Sequence, residues 1–212
     1  MTYEVELKIQ LQNGEKQKLE EYLKFKSKFL GGFKQQDYYF DTLIPSFAQK
    51  DIALRVRIER NINDTNNLEF KNNSNYNENI IELTYKGKKI NQNSKTRLEY
   101  NILLDSNTNF KTVENFFQEL GYINAINIAK ERMNYEIEEG IVLSLDKIFW
   151  KNENELGDFV EIEKIATDEN QIVETEEYLW NKLQSMVGKL TKDRKIVKSY
   201  LELILEARAT NS

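Results

Sequence analysis

Basic and acidic side chains alternate with apolar ones in many segments of this chain, and they are the residues that could do chemistry. In the first such segment, Glu4, Glu6 and Lys8 alternate with Val5 and Leu7. Lysine and arginine bind phosphate oxygens through charge-assisted hydrogen bonds, and carboxylates are ligands for Mg²⁺ and other hard cations. The basic residues in this pattern are Lys8, Arg55, Arg57, Lys86, Arg97, Lys130 and Arg132. The acidic ones are Glu4, Glu6, Glu99, Asp146, Glu161 and Glu163, to which Glu82 can be added.

These two sets, brought together, would suit a ligand with many negative charges that is accompanied by divalent cations. Burying so many charges without a ligand would be costly, because each group would lose its hydration. A polyphosphate would neutralise the basic set, and Mg²⁺ or Mn²⁺ would neutralise the acidic set. We therefore predict a site for a polyphosphate and one or two divalent cations.

Two reactive residue types are missing from the 212 residues, since the chain contains no cysteine and no histidine. This excludes disulfides, thiolate nucleophiles, iron–sulfur clusters and cysteine-rich zinc sites. It also excludes the commonest general base and the commonest transition-metal ligand. Any chemistry must therefore use carboxylates, lysine, arginine, tyrosine, hydroxyl groups or a cation held by oxygen.

The charge balance and the apolar pattern limit the partners and the location. The net charge of −5 and the pI of about 5.1 argue against non-specific binding to nucleic acid. No apolar run approaches the roughly 18 residues of a membrane-spanning helix. The start of the sequence carries acids where a signal peptide would carry basic and then apolar residues. We expect a cytoplasmic protein that binds neither membranes nor nucleic acid.

The periodicity predicts an α+β fold in which antiparallel hairpins dominate. Strands are predicted at 3–11, 34–41, 52–60, 80–88, 96–104, 128–138, 141–149 and 158–165, with an extra one possible at 68–71. Helices are predicted at 14–30, ended by Gly31 and Gly32, at 109–120, at 170–188 and at the C-terminus within 195–208. We interpret residues 1–212 as a single domain, in which the asparagine-rich residues 61–79 form a solvated hairpin insertion.

The alternation alone allows two arrangements of the sheet. In one, the sheet is open and the charged side chains form its wet face. In the other, the sheet closes, the helices cover its outer apolar face and the charges line the interior. The second arrangement inverts the usual small barrel, whose interior is packed with apolar side chains.

Several segments together resemble the CYTH superfamily, also called triphosphate tunnel metalloenzymes. Glu4-Val5-Glu6-Leu7-Lys8 resembles the ExExK signature of that family. The other matching segments occur in the family's order and extend from residue 3 to about 205. They are 36–41 (QDYYFD), 53–57 (ALRVR), 83–87 (LTYKG), 96–99 (TRLE), 130–132 (KER), 145–146 (LD), 156–163 (LGDFVEIE) and 199–203 (SYLEL).

The resemblance implies a closed eight-stranded antiparallel β-barrel, a tunnel with the ionic residues inside and helices on its flanks. It implies that the seven basic residues grip a triphosphate, and that Mg²⁺ or Mn²⁺ is bound by Glu4, Glu6, Glu161 and Glu163 with help from Glu99 and Asp146. Lys8 and Tyr39 could form a catalytic pair, in which the lysine helps to deprotonate water or the tyrosine. The alternative is that Tyr39 belongs to the wall and that Lys8 only binds phosphate. We interpret Tyr200 as a packing residue.

The resemblance covers more than one activity. We favour a metal-dependent phosphohydrolase that releases phosphate from tripolyphosphate or an organic triphosphate. The alternative is a class IV adenylyl cyclase, which converts ATP to cyclic AMP and pyrophosphate. Such cyclases carry a His-Phe segment before the first strand, whereas only Met1-Thr2-Tyr3 precedes Glu4 here. A further alternative is a non-catalytic polyphosphate-binding module. Helix-covered tunnels of this family are often dimers, so a homodimer is also an expectation.

Overall fold

One antiparallel sheet and four α-helices make up the part of the chain that the computed structural model describes, residues 3–43, 46–62, 80–89, 97–105, 107–150 and 154–210. The strands are β1 Tyr3–Gln10, β2 Lys28–Asp41, β3 Ala53–Asn61, β4 Ile80–Lys89, β5 Arg97–Leu103, β6 Ile123–Glu138, β7 Ile141–Trp150 and β8 Asn154–Ala166. The α-helices are α1 Glu15–Lys26, α2 Phe110–Glu119, α3 Ile172–Val187 and α4 Tyr200–Thr210. Short 3₁₀ helices occur at Ala48–Lys50, Glu169–Gln171 and Lys192–Arg194.

The sheet curls into a half-barrel, and its strand order is β1-β8-β7-β6-β2-β3-β4-β5. The predicted α+β class with eight antiparallel strands is confirmed, but the predicted closed barrel is wrong for the described residues. Closure would require β1 to pair with β5. Instead, the Lys8 carbonyl on the free side of β1 accepts a hydrogen bond of 2.8 Å from the Ile196 backbone N–H. The segment that precedes α4 therefore occupies this edge.

Gly31 and Gly32 lie inside a strand rather than at the end of a helix, which corrects the prediction for 14–30. Helix α1 ends at Lys26 and β2 begins two residues later, with a bulge between Phe29 and Gly31 in its pairing with β6. Gly31 has a φ of +146°, and a Cβ there would lie 2.9 Å from the Phe33 ring. A glycine is needed here because the bulge brings the backbone close to a side chain.

Other boundaries also differ from the sequence prediction, and strand pairing extends two of the strands. Strand β6 begins at Ile123 instead of 128, since its first residues pair with the end of β2. Strand β8 begins at Asn154 instead of 158, opposite Trp150 of β7. Helix α4 begins at Tyr200, later than predicted. The possible strand at 68–71 and most of the 61–79 insertion lie outside the described residues.

The outer face of the sheet packs against the first three helices, as the alternation predicts. Val5, Leu7 and Ile9 of β1 are buried in a cluster with Leu19 of α1 and Leu183 of α3. Because neighbouring side chains of a strand point to opposite faces, the charged residues of β1 must project from the inner face.

None of the helices among the described residues is both long enough and apolar enough to span a membrane.

Helix α2 covers the outer face of the sheet at β2, β3 and β4. The side chain of Asn109 caps its first turn by accepting a hydrogen bond of 2.8 Å from the Lys111 backbone N–H. Phe117 of α2 packs on Phe40 of β2, with 4.8 Å between the ring centroids. Val56 and Ile81 complete this second cluster, which turns the arginines of β3 toward the inner face.

Helix α4 differs from the other helices because it lies against the inner face, at one end of the half-barrel. Its Ile204 is fully buried in a cluster with Tyr39, Ile128, Ile148 and Phe159. Those four residues share the faces of their strands with the charged inner residues. One end of the inner face is therefore an apolar floor covered by α4, and the ionisable side chains begin directly above it.

Candidate functional site

The inner face buries charged side chains from six strands of the sheet. Each of them is less than 9% exposed, and they are Lys8, Asp37, Arg55, Lys130, Asp146 and Glu161. Lysine, arginine and acidic residues are almost never buried to this extent unless they are paired. These side chains lie on the inner face of the sheet, opposite the apolar residues that pack against the helices.

The first charged network joins β1, β6, β7 and β8 and consists of Lys8, Arg132, Asp146 and Glu161. Arg132 donates from Nε and Nη2 to the two carboxylate oxygens of Asp146, at 2.6 and 2.5 Å. It also donates to Glu161, whose other oxygen lies 2.8 Å from Lys8 Nζ. Burial opposes the charge on Arg132, but the two carboxylates outweigh it and raise its pKa well above the ordinary value. The guanidinium therefore stays charged.

Lys130 lies beside this network and forms a long ion pair with Asp146. Its Nζ is 3.9 Å from the nearest oxygen of Asp146, which is too far for a hydrogen bond. Burial, together with the positive charge of Arg132, lowers the pKa of Lys130 to about 7. An anion bound near this amine would favour its charged form.

The second charged network joins β2, β3 and β4. Arg57 donates from Nε and Nη2 to the two oxygens of Asp37, at 2.6 and 2.8 Å. Arg55 donates from Nη2 to Glu82 and to the Thr84 hydroxyl, both at 2.8 Å. Burial alone would raise the pKa of Asp37, but the two guanidiniums hold it well below its usual range. Each network thus presents arginines that carboxylates hold in fixed orientations.

The remaining predicted phosphate ligands lie toward β5, where the site is more open. Lys86 Nζ is 2.7 Å from a carboxylate oxygen of Glu99, and both side chains are partly exposed. Burial lowers the pKa of Lys86 despite this partner. Arg97 donates to the Gly87 carbonyl at 3.4 Å. These residues flank the two networks rather than joining them.

Three carboxylates from β1 and β8 lie together at the end of the site away from α4. Glu6 is directly opposite Glu163 in the pairing of these strands, and Glu4 is the next inner residue of β1. Burial raises the pKa of Glu163 to about 7, and the negative charges of Glu4 and Glu6 contribute to the same shift. A divalent cation would relieve this repulsion, and carboxylate oxygens are ligands that Mg²⁺ and Mn²⁺ accept.

The other predicted metal ligands have basic neighbours instead. Asp146 and Glu161 pair with Arg132, and Glu99 pairs with Lys86. In the part of the chain that the structure describes, no three acidic residues are already arranged as a metal-binding group. The donor chemistry of Glu4, Glu6 and Glu163 therefore fits a hard cation best, although their side chains would have to converge on it.

Tyr200 has a polar contact in addition to the packing predicted for it. Its hydroxyl donates a hydrogen bond of 2.7 Å to Asp146, and Lys8 Nζ lies 3.7 Å from the centroid of its ring. The ring also packs edge-on against Phe159. Burial raises the pKa of this hydroxyl well above the ordinary value, so it remains a hydrogen-bond donor. Tyr200 thus connects α4 to the first network.

The two residues of the predicted catalytic pair have different surroundings. Lys8 is held by Glu161 and the Tyr200 ring, whereas Tyr39 lies in the apolar floor with Ile204. Burial raises the pKa of Tyr39 to about 12, so its phenol is neutral near pH 7. Tyr39 also interacts with Asp37, Arg55 and Arg57, so it lies where the apolar floor meets the second charged network. Whether it acts with Lys8 stays a prediction.

Four buried polar residues of the described inner face had no role in the predicted site. They are Gln35, Asp37, Thr84 and Ser144, all 5% exposed or less. A signal for the first two was available, because Gln35, Asp37 and Tyr39 occupy alternate positions of one strand. A polar residue at such positions is expected on any sheet face that contacts water. The pattern therefore does not distinguish functional residues from ordinary solvated ones.

Comparisons with known proteins agree with this fold. A Methanocaldococcus jannaschii protein named as a putative adenylate cyclase is 32% identical over 200 residues, which cover 94% of this chain and 97% of the relative. A Pyrococcus horikoshii protein of known structure has a TM-score of 0.76 and 29% identity, with 97% of this chain and 100% of the other covered. A Hippeastrum protein, described as a putative adenylyl cyclase with a dominant triphosphatase activity, has a TM-score of 0.58. That likeness covers 91% of this chain and 93% of the other at 17% identity, and it shows the shared fold alone.

The family assignment comes from the match over nearly the whole chain. The model of the CYTH domain matches residues 2–200, which include all eight strands and both charged networks. This agrees with the resemblance noted in the sequence. The chain belongs to the CYTH family.

Proposed function

We propose that this protein is a metal-dependent triphosphatase, which hydrolyses tripolyphosphate or an organic triphosphate. The observation that carries the proposal is a set of five basic side chains on one concave face. Lys8, Arg55 and Lys130 are buried there, and Arg57 and Arg132 are each 15% exposed. A triphosphate carries enough negative charge to interact with several of these groups together. Arginine offers two parallel hydrogen bonds to a phosphate group. Lys130, whose Nζ is 3.9 Å from Asp146, offers an amine whose charged form a bound phosphate would favour.

The basic side chains would act through position and charge. In phosphoryl transfer the protein contributes mainly by holding the phosphates and by stabilising the charge that develops on their oxygens. Asp37 and Asp146 orient Arg57 and Arg132 before a ligand arrives, so little reorganisation is needed. The apolar floor under α4 limits how deep the phosphates can lie.

The acidic residues would supply the metal site. Glu4, Glu6 and Glu163 fit a hard divalent cation, with Glu161, Asp146 and Glu99 as further candidates. When bound, Mg²⁺ or Mn²⁺ neutralises phosphate charge and polarises phosphorus. The carboxylates themselves hold the cation close to Lys8 and Arg132, which bind the phosphate chain from the neighbouring strands.

A class IV adenylyl cyclase is the second candidate, and one observation favours it. The Methanocaldococcus jannaschii relative, 32% identical over 200 residues, is named as a putative adenylate cyclase. The Hippeastrum protein, which shares the fold, carries a cyclase name and is described as mainly a triphosphatase. A cyclase would use the same basic residues to hold ATP, and the ribose 3′-hydroxyl would attack the α-phosphorus.

The test separates these activities by their products. Purified protein is incubated with tripolyphosphate and, separately, with ATP, in Mg²⁺ and in Mn²⁺, with EDTA as the control. Orthophosphate from tripolyphosphate without cyclic AMP from ATP supports the triphosphatase. Equal amounts of cyclic AMP and pyrophosphate from ATP would replace it with the cyclase. Tight binding of tripolyphosphate without any product would refute both and leave a polyphosphate-binding module.

A further inference from the structure

The side-chain carbonyl of Gln35 is a buried hydrogen-bond acceptor that has no partner in the described part of the chain. Gln35 is 5% exposed and lies on the inner face of β2, between β3 and β6. Its Nε2 donates to the carboxylate of Glu59, which is directly opposite on β3. Buried acceptors are nearly always satisfied in folded proteins, so this oxygen is a candidate for contact with a ligand.

The contact with Glu59 decides which way the amide of Gln35 points. An amide can be turned by 180° without changing its shape, and the choice depends on the hydrogen-bond network. Turning the amide of Gln35 would place its oxygen against the carboxylate of Glu59, and two acceptors repel each other. The oxygen therefore faces away from Glu59.

The groups around this oxygen are mainly donors. Lys130 is directly opposite Gln35 in the pairing of β2 with β6, and its Nζ has no anionic atom closer than 3.9 Å. Among the described residues, the buried Nε of Arg55 has no hydrogen-bond partner. Arg57 is the residue next to Glu59 on the inner face of β3. These donors suit phosphate oxygens, which accept hydrogen bonds. The carbonyl of Gln35 needs the opposite, a group that donates.

We propose that Gln35 accepts a hydrogen bond from the hydroxyl group that attacks the bound triphosphate, and so orients this nucleophile toward phosphorus. This inference rests on the proposed function. In the hydrolysis of tripolyphosphate, the oxygen of water forms a bond to the terminal phosphorus, and the bond from that phosphorus to the bridging oxygen breaks. The bonding electrons leave with pyrophosphate. An amide is too weakly basic to keep the proton of water, which passes to the phosphate products.

The first variant is Gln35→Met, which keeps the volume of the side chain and removes the acceptor. Loss of one hydrogen bond to the attacking group should reduce kcat for tripolyphosphate by about 10-fold. The KM should stay within about two-fold, because the phosphates are held by other residues. The matched control is Gln36→Met, the same change at the next position of β2 and on the opposite face, which should leave kcat unchanged.

Binding and folding measurements complete the experiment. Thermal unfolding and calorimetric titration with tripolyphosphate in the absence of divalent cations show whether Gln35→Met is folded and still binds. If that variant does not fold, Gln35→Asn withdraws the carbonyl by one methylene group and should reduce kcat in the same way. An unchanged kcat in a folded Gln35 variant, with active wild type, overturns the inference and leaves the triphosphatase intact. A wild type that binds tripolyphosphate without turnover refutes the proposed function first.

Discussion

The two halves of the sheet hold their charged residues in different settings. In the half formed by β1, β6, β7 and β8, Leu7, Leu143 and Ile162 are at most 1% exposed, and α1 and α3 cover them. In the half that ends at β5, Leu98 and Tyr100 are more than half exposed. The first half therefore holds its charges on a well-packed wall. In the second half, β2, β3 and β4 pack under α2, whereas β5 at the edge presents its charges from a strand with few buried neighbours. We expect local opening to be easier in the second half.

This difference suggests a division of roles within the site. Arg132, Asp146 and Glu161 are buried together, so each depends on the others for compensation of its charge. Lys86 and Glu99 are both partly in contact with water, which screens their interaction. We expect substitutions in the first half to have the larger effects on the free energy of unfolding and on triphosphate affinity. Substitutions in the second half should change the affinity only modestly.

The largest effect is expected for Arg132→Ala in the first half. The substitution leaves Asp146 and Glu161 buried without their guanidinium, which should destabilise the fold by about 3–5 kcal/mol. Urea denaturation measures this change, and calorimetry should show that tripolyphosphate no longer binds tightly. A loss below about 1 kcal/mol would mean that the first network does not carry the stability of this half.

Glu6→Gln and Glu163→Gln should abolish metal-dependent turnover while the fold is kept. Each removes one of three carboxylates that repel one another, so the amide should not destabilise the protein. The measurement is phosphate release in Mg²⁺ and in Mn²⁺, together with the melting temperature. Glu131→Gln is the matched control, because Glu131 pairs with Lys34 on the surface of the neighbouring strands. Full activity in both site variants would rule out the proposed metal ligands.

The stability of the metal-free protein should fall as the pH rises from about 4.5 to about 7. The pKa of Glu163 is raised from 4.5 to about 7 in the folded state, so in this range the folded protein binds one more proton than the unfolded chain. Stability then decreases with increasing pH, by linkage. Urea denaturation of wild type and Glu163→Gln in EDTA measures it. The variant should lack this part of the decrease, and identical profiles would contradict the assignment.

The smallest effect is expected for Lys86→Met in the second half. The partly exposed pair with Glu99 should contribute less than about 1 kcal/mol to stability. The KM for the triphosphate should rise several-fold, because one cation near the edge of the site is lost, while kcat changes little. A destabilisation as large as that of Arg132→Ala would remove the distinction between the two halves.

The alternation of residues predicts which face of a strand each side chain lies on, but it does not predict where several of the strands and helices begin and end. The alternation in β1 predicted that Leu7 would meet the helices and that Lys8 would face the interior, and both are confirmed. The glycines at 31 and 32 were misread as a helix end because local rules cannot show that β2 pairs with β6 as far as Lys28. The open edge of β1 likewise depends on Ile196, which is nearly 190 residues away in the chain.

The candidate site shows the same limit. The residue types alone excluded thiol and imidazole chemistry and left lysine, arginine and carboxylates as the active groups. Their partners could not be predicted, because Arg132 meets Asp146 through the pairing of β6 with β7, and Arg57 meets Asp37 through that of β3 with β2. The contact of Tyr200 with Asp146 depends on how α4 folds back onto the inner face.

The amino-acid sequence by itself determined which side chains could do chemistry and which face of each strand carries them, because alternation is a local property of the backbone. Only the tertiary structure decided which of them meet, and how they share their charges. Strand register and the docking of α4 bring together residues far apart in the chain, and burial then changes their ionisation. The raised pKa of Glu163, the lowered pKa of Lys130 and the unsatisfied carbonyl of Gln35 all arise in this way.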